Sequence, residues 1–305
     1  MPLYFFLLLF VSNNLLAQEL PPIQKFTSLD YGGENQNWMI SQGIDKFIYV
    51  GNNEGLLEYN GAKWKMYQSP NNTIIRAVNA VEKRIYTGCY MEFGFWERDV
   101  FGKLKYKSLV SKFKESMIED EQIWNIITLD EWMLFQSLNR IYFYNTVSGV
   151  TKIIHSKNVI SKVFNIEKVI YYHVNNEGIF TIEAGKSRLL VDSSLFGNDK
   201  VVGMFQIPDG LLILTRGLGF YKLIDGKLAV WKSAASEVLK NIKRTSAAKS
   251  MTAIMISRYL LMYSLSFMST AAVPVSSLPS SAYICENTGK TLAIITTITA
   301  IITSE

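Results

Sequence analysis

The sequence is short of the residues that build metal sites and disulfide frameworks. Its 305 residues include two cysteines, Cys89 and Cys285, and two histidines, His155 and His173. Two cysteines cannot form a disulfide framework, and no Cys or His pair has the spacing of metal ligands. No Gly-rich loop that would cradle a phosphate precedes a helix. We therefore expect no metal site, no cofactor and no catalytic residues, so that the protein is not an enzyme.

Charge is also sparse. Charged residues make up 19% of the chain, and the net charge is +5, which is too small to indicate nucleic-acid binding unless the basic residues cluster. Lys240, Lys243 and Arg244 form only a weak cluster, which is more typical of a solvated turn. We expect this chain to contact no nucleic acid. Aromatic residues reach 13%, a content that favours strands over helices.

The amino terminus has the pattern of an export signal. The apolar run Leu3–Val11 is followed by a polar break and by the small residue Ala17. This pattern predicts a signal peptide over 1–17, cleaved between Ala17 and Gln18. A buried strand and a membrane anchor are the alternatives, but nine apolar residues are too few for a bilayer, which needs roughly 20.

A repeat fills the middle of the chain, between Asn37 and Trp231. Each copy consists of short apolar stretches separated by tight polar turns of the Asn-Gly or Asp-Gly type. One position of the repeat recurs at spacings of 39, 46, 38 and 41 residues, at Gly55, Gly94, Arg140, Gly178 and Gly219. The long interval contains the charged insertion Ser111–Glu121, which we place on a loop.

The repeat predicts an all-β fold. Two-residue turns join antiparallel strands, and a period near 40 is that of four-stranded propeller blades, which bury their faces against one another. We predict a β-propeller over 18–245 with about five recognisable four-stranded blades, an incomplete set, followed by an irregular tail. A β-sandwich is the alternative, but it does not explain the regular recurrence.

The tail over 246–305 differs from the rest of the chain. From Ser250 onward the charged residues are Arg258, Glu286, Lys290 and Glu305. Three interpretations remain open: a frameshifted or truncated translation past about Lys243, a membrane segment that would start near Met251, and a Ser/Thr-rich stalk. The abrupt loss of charge and of turn residues favours the frameshift, whereas the membrane segment would associate the chain with a bilayer.

Individual side chains give weaker signals. For each of the six tryptophans, packing between blades is favoured over stacking on a sugar. Glu119, Asp120 and Glu121 are expected to be solvated loop charges rather than catalytic carboxylates. Cys89 is expected to be a small buried residue.

The first two repeats resemble a known family. The stretches Gly33–Ile40, Ile48–Trp64 and Ile85–Trp96 are similar to the two-component-regulator propeller repeats of bacterial envelope sensors. The resemblance covers about 20–245. Tyr49 and Tyr86 stand where the repeat usually has tryptophan.

The resemblance implies a sensory role. In that family an exported propeller is followed by a sandwich domain with a three-tyrosine motif, by a transmembrane helix, and by a LuxR-like or histidine-kinase output module. Nothing after Lys249 matches these later parts, so the output half is absent from this chain, and the family would have about seven blades. The implied fold is the propeller predicted above.

We therefore expect an exported ligand-sensing or protein-interaction propeller in the periplasm or cell envelope. It would be the extracytoplasmic input part of a transcriptional regulator or sensor kinase. Its ligand, for which a glycan is one candidate, or its protein partner would bind loops at the mouth of the ring, and the sequence selects no residue there. The alternatives are a polysaccharide-acting propeller enzyme and a non-functional truncated fragment.

Overall fold

Five similar sheets follow one another along the chain. A computed structural model describes residues 23–183 and 185–232, together with the backbone of 285–287 and 291–295. Each of the five sheets has four antiparallel strands in chain order, joined by short turns. We call these sheets blades 1 to 5.

The strands have the following bounds. Blade 1 contains β2 (Asn37–Gln42), β3 (Ile48–Asn52), β4 (Gly55–Tyr59) and β5 (Trp64–Gln68). Blade 2 contains β6 (Ala77–Val81), β7 (Arg84–Cys89), β8 (Glu92–Arg98) and β9 (Leu104–Ser108). Blade 3 contains β10 (Asn125–Leu129), β11 (Trp132–Gln136), β12 (Arg140–Asn145) and β13 (Thr151–His155).

The remaining elements complete the described part of the chain. Blade 4 contains β14 (Ile160–Ile166), β15 (Val169–Val174), β16 (Gly178–Glu183) and β17 (Lys186–Asp192). Blade 5 contains β18 (Val201–Ile207), β19 (Gly210–Thr215), β20 (Gly219–Ile224) and β21 (Lys227–Trp231). Outside the blades lie β1 (Ile23–Thr27), the helix α1 (Ser28–Tyr31), a 3₁₀ turn (Val110–Lys112), β22 (Cys285–Asn287) and β23 (Thr291–Ile295).

The blades are arranged around an axis. The first strands of consecutive blades contact one another, β2 with β6, β6 with β10, β10 with β14, and β14 with β18. The first strand is therefore the innermost strand of each blade, as in a β-propeller. The prediction of an all-β propeller with five recognisable four-stranded blades is confirmed.

Alternation along the strands buries both faces of each blade. In blade 1, Tyr49 and Leu56 face blade 2, whereas Val50 and Leu57 belong to a separate cluster on the opposite face. The same alternation creates hydrophobic cores between blades 2 and 3, 3 and 4, and 4 and 5. A strand buried on one face only would alternate between apolar and polar residues. Because both faces of these strands are buried, their sequences are nearly continuously apolar.

The core between blades 2 and 3 is the richest in aromatic rings. The ring centroid of Phe93 lies 4.6 Å from that of Phe135 and 5.0 Å from that of Tyr142. The charged insertion contributes Phe113, whose ring meets Phe93 edge-on at 5.5 Å. The insertion is thus anchored by an apolar side chain, although its surface is charged.

Glu121 corrects one expectation from the sequence. Only 7% of this residue is exposed, so it is not a solvated loop charge. Its carboxylate accepts hydrogen bonds from the Ser137 hydroxyl, from the Tyr142 hydroxyl at 2.6 Å and from the backbone N–H of Ile118 at 2.9 Å. Glu119 and Asp120 are exposed, as expected. The end of the insertion is therefore fixed to blade 3 by a buried carboxylate.

The outer face of blade 1 is covered from within the chain. Phe26 of β1 and Tyr31 of α1 pack over Ile48, Val50 and Leu57. The Phe26 ring lies 5.3 Å from the Trp64 ring, edge to face. The backbone of β1 also pairs with β23, which pairs in turn with β22. This lid over blade 1 replaces the contact that a preceding blade would make.

The outer face of blade 5 carries its own cluster. Leu212, Leu214 and Phe220 are buried there, with Trp231 packed against them. Among the described residues, no hydrophobic cluster joins blade 5 to blade 1. No helix in the described part of the chain is long and apolar enough to cross a membrane. The predicted signal peptide with Ala17 and Gln18 lies outside the described residues, as does nearly all of the tail over 246–305.

Candidate functional site

One position at the start of the inner strands recurs in every blade. In blades 1, 4 and 5 it is the extra residue of a register shift, between Asn37 and Met39, Ile160 and Lys162, and Val201 and Gly203. In blades 2 and 3 it directly precedes the first paired residue. Such bulges aim a side chain out of the regular ladder and are common beside binding sites. We call this set the axial ring; it consists of Trp38, Arg76, Trp124, Ser161 and Val202.

Three members of the axial ring contact one another. The Arg76 guanidinium carbon lies 4.3 Å from the centre of the Trp38 ring and 4.7 Å from the centre of the Trp124 ring. The two indoles meet edge to face at 6.2 Å. We call this arrangement the Trp–Arg–Trp cluster. It joins the inner strands of blades 1, 2 and 3 through a cation held against two aromatic rings.

Polar neighbours fix the orientation of the cluster. The Trp38 indole N–H donates to the Asn53 side-chain oxygen at 2.8 Å. Arg76 Nε donates to the side-chain oxygen of Gln122, two residues before Trp124. Asn53 also lines an open depression, together with Glu34, Asn35 and Gln36. The depression therefore borders the cluster. The hydrogen bond to Gln122 and the two ring contacts restrict the orientation of the guanidinium, and its two terminal nitrogens form no side-chain hydrogen bond with the described residues.

The cluster lacks compensating charge. No carboxylate of the described residues forms an ion pair with Arg76. Partial burial lowers the pKa of Arg76 below its usual value, and no charged neighbour offsets this effect. The Trp124 indole N–H is buried and has no hydrogen-bond partner in the part of the chain that is described. The site is therefore a partly buried cationic surface, and the unpaired indole N–H of Trp124 lies beside it.

Lys162 is a second cation near the axis without a partner. It follows Ser161 on β14, is partly buried, and its ammonium lies 5.8 Å from the centre of the Phe164 ring. Burial lowers the pKa of Lys162. No acidic side chain of residues 23–183 or 185–232 forms an ion pair with it. Arg76 and Lys162 are thus two cations near the axis that form no ion pair with the described residues.

Ser161 forms a pair with His173 that invites comparison with a nucleophilic site. Ser161 Oγ lies 2.6 Å from His173 Nδ1, but His173 is fully buried and its Nε2 has no partner among the described residues. In a hydrolase a third group orients the imidazole from the nitrogen that does not face the serine. Asp199, whose charge acts on His173, accepts hydrogen bonds from the backbone of Gly217 and Leu218 instead. The pair therefore lacks the orienting contact of a catalytic triad.

His173 predicts a pH-dependent stability. Burial lowers its pKa to about 4; the charge of Asp199 opposes this shift, and that of Lys200 adds to it. Below about pH 6.5 the unfolded chain therefore binds more protons than the folded one, and the free energy of unfolding falls as the pH falls. We expect a loss of roughly 2 kcal/mol between pH 7.5 and pH 5, which urea unfolding at the two pH values measures. The variant His173→Asn is expected to lose less over the same interval; an equal loss in both proteins contradicts this assignment.

The other residues singled out from the sequence have structural positions. Four of the tryptophans pack in or beside blade faces, as expected: Trp64, Trp96, Trp132 and Trp231. Cys89 is buried, as expected, and burial raises the pKa of its thiol to about 12. His155 and His173 lie on different blades. In the described residues no group of three or more His, Cys, Asp or Glu side chains is arranged to hold a metal ion.

Sequence reasoning missed Arg76. Its one signal is a cation inside an otherwise apolar run, Ile74-Ile75-Arg76-Ala77-Val78. A charged residue at the centre of such a run has to be paired or functional, because burying an unpaired charge is costly. For Trp38 and Trp124 the sequence favoured packing between blades over stacking on a sugar, and the structure places both against Arg76.

The chain is thus a β-propeller with a cationic, aromatic-lined axial surface. No protein-family model and no curated protein matches it. Among solved structures it is similar to the extracellular domain of a putative hybrid two-component system from B. thetaiotaomicron, at 17% identity and a TM-score of 0.51, over 68% of this chain and 29% of that one. It is also similar to virginiamycin B lyase from Staphylococcus aureus, at 14% identity and a TM-score of 0.53, over 70% of this chain and 74% of that one.

These likenesses establish the fold. The chain spans under a third of the length of the two-component extracellular domain. At this level of identity neither structure assigns an activity to the chain. The resemblance to the propeller repeats of envelope sensors, seen in the sequence, is confirmed at the level of the fold.

Proposed function

We propose that this chain is an extracytoplasmic sensing propeller that binds a small ligand at the Trp–Arg–Trp cluster. The observation that carries the proposal is the position of this cluster on the inner strands of three blades, where a ligand would contact several blades at once. Binding there would change how the inner strands of those blades pack, and a shift between two arrangements of blades is a signal that later domains can transmit. The similarity to the extracellular domain of a putative two-component system supports the sensing role.

Export is the part of this proposal that an experiment can test most directly. We expect the full chain, fused at its carboxyl end to alkaline phosphatase and produced in a Gram-negative host, to give active phosphatase. The mature protein is expected to begin at Gln18, as N-terminal sequencing would show. A charge within the apolar run stops export, so Leu8→Arg is expected to lower phosphatase activity at least about tenfold. Active phosphatase in the Leu8→Arg variant, or an intact amino terminus on cytoplasmic protein, would overturn the proposal.

A polysaccharide-acting or other propeller enzyme is the second candidate, which the fold shared with a lyase keeps open. It requires a reactive group on the axial surface, and Ser161 beside His173 is the group that the described residues offer. The low pKa of His173 keeps the imidazole neutral at pH 7, but the missing orienting contact on Nε2 weakens it as a base. Turnover of glycans that is abolished by Ser161→Ala would favour the enzyme over the sensor.

A further inference from the structure

The arginines of the described blades differ in how their charge is compensated. Four of the six lie against a carboxylate: Arg84, Arg98, Arg140 and Arg188. Of the other two, Arg216 is exposed to solvent, whereas Arg76 is partly buried against two indoles. Arg76 is therefore the partly buried arginine of residues 23–183 and 185–232 that has no counter-charge.

The cost of this arrangement points to a missing anion. Contact with two aromatic rings compensates part of the desolvation of a guanidinium. It does not supply acceptors for the N–H groups of the terminal nitrogens. Arg98, by contrast, is paired with the Glu58 carboxylate at 2.7 Å. At Arg76 the acceptor has to come from water or from a ligand.

The geometry selects the kind of anion. Gln122 accepts from Nε, so the free edge of the guanidinium is the one formed by Nη1 and Nη2. Two parallel N–H groups on one edge match the two oxygens of a carboxylate, which binds them as a bidentate pair. The indoles of Trp38 and Trp124 cover two adjacent sides of the guanidinium and limit the access of water there, and this strengthens a charge-assisted hydrogen bond. The same rings offer apolar contact to the organic part of a ligand.

We infer that the Trp–Arg–Trp cluster is a carboxylate-binding site, in which the free edge of Arg76 holds the carboxylate of a small organic acid whose body lies against the indoles of Trp38 and Trp124. This inference rests on the proposed function, because it names the ligand class of the same axial surface. It adds a requirement that the proposed function alone does not make: a neutral molecule of the same shape does not bind.

The test uses the full chain and two probes of equal shape. We expect ¹⁹F NMR to show line broadening of 4-fluorobenzoate by the protein, with no comparable effect on the neutral 4-fluorobenzamide. Excess acetate is expected to reverse the broadening. Equal broadening of both probes, or displacement by inorganic phosphate at lower concentration than by acetate, overturns the assignment to a carboxylate.

Variants locate the site. Arg76→Gln keeps a hydrogen-bonding side chain but removes the charge, and it is expected to weaken 4-fluorobenzoate binding at least about tenfold. Arg76→Lys keeps the charge without the bidentate edge and is expected to lose binding to an intermediate degree. Arg216→Gln, at the other unpaired arginine, is the matched control and is expected to bind like the unchanged protein. Cooperative thermal unfolding of each variant shows that it is folded, and unchanged binding by folded Arg76→Gln refutes the inference.

The result separates the two proposals. Export of the chain with no binding of 4-fluorobenzoate would leave the sensing propeller in place and remove the carboxylate site. Failure of export would remove the extracytoplasmic role whatever the probe does.

Discussion

Alanine at Gly178 is expected to destabilise the propeller by about 4 kcal/mol, the combined cost of backbone strain and of a steric overlap. Gly178 opens the third strand of blade 4 with φ +134°, a conformation that residues with a β-carbon rarely adopt. A β-carbon at this position would also overlap the carbonyl oxygen of Val191 on the neighbouring strand β17. Because the obstacle is backbone, the clash cannot be relieved by a change of rotamer.

A second glycine separates the two contributions. Gly226 has φ +73°, but a β-carbon there would meet no atom within 4 Å. We expect Gly226→Ala to cost about 1 kcal/mol, from strain alone. Urea unfolding of the two variants measures the difference. Equal losses of stability in Gly178→Ala and Gly226→Ala would show that the close approach of β17 has no energetic weight.

Removal of the Glu121 carboxylate is expected to be the most costly polar change. Glu121→Ala leaves the hydroxyls of Ser137 and Tyr142 and the N–H of Ile118 without their acceptor, at a cost of about 3–4 kcal/mol. Burial, and next the hydrogen bond to Glu121, raise the pKa of Tyr142, so its hydroxyl stays protonated and remains a donor. Urea unfolding at pH 7 gives the change in the free energy of unfolding.

The neighbouring glutamate provides the control for that prediction. Glu119 lies in the same loop and is exposed, so Glu119→Ala is expected to change stability by less than about 0.5 kcal/mol. Glu121→Gln keeps one acceptor oxygen and is expected to lie between the two. A loss in Glu119→Ala as large as that in Glu121→Ala would mean that charge in the loop, rather than the buried contacts, holds the insertion.

The blades could be predicted from the repeat. The different burial of Glu119 and Glu121 could not, because it depends on contacts that are distant in the sequence. Turn residues and alternating apolar positions are local, so the strands around Gly55 and Gly178 could be placed from the sequence. The glycines themselves were used as markers of the period; only the structure shows that they open a third strand against a neighbouring carbonyl. Glu121 was assigned to solvent because its sequence neighbours are charged. Its burial depends on Tyr142, 21 residues later, a contact that no local pattern encodes.

The Trp–Arg–Trp cluster could not be predicted from local sequence patterns either, because its residues are distant in the sequence. Trp38, Arg76 and Trp124 are separated by 38 and 48 residues, and they meet because each occupies the same position of a different blade. A repeat alignment that compared this position across copies would have brought them together. The side chain at this position changes from blade to blade, from indole to guanidinium, hydroxyl and isopropyl groups. The variation of this one position among otherwise similar repeats was the sequence feature that could have indicated a functional site.

The lid that Phe26 and Tyr31 form over blade 1 has a consequence for how molecules of this protein meet in solution. A row of similar sheets with two bare, complementary ends would let the last sheet of one molecule stack on the first sheet of the next. Head-to-tail contacts that do not close into a ring grow into filaments. Phe26 and Tyr31 already occupy one of the two ends of the described blades, so the outer face of blade 1 is not free to accept the last sheet of another molecule.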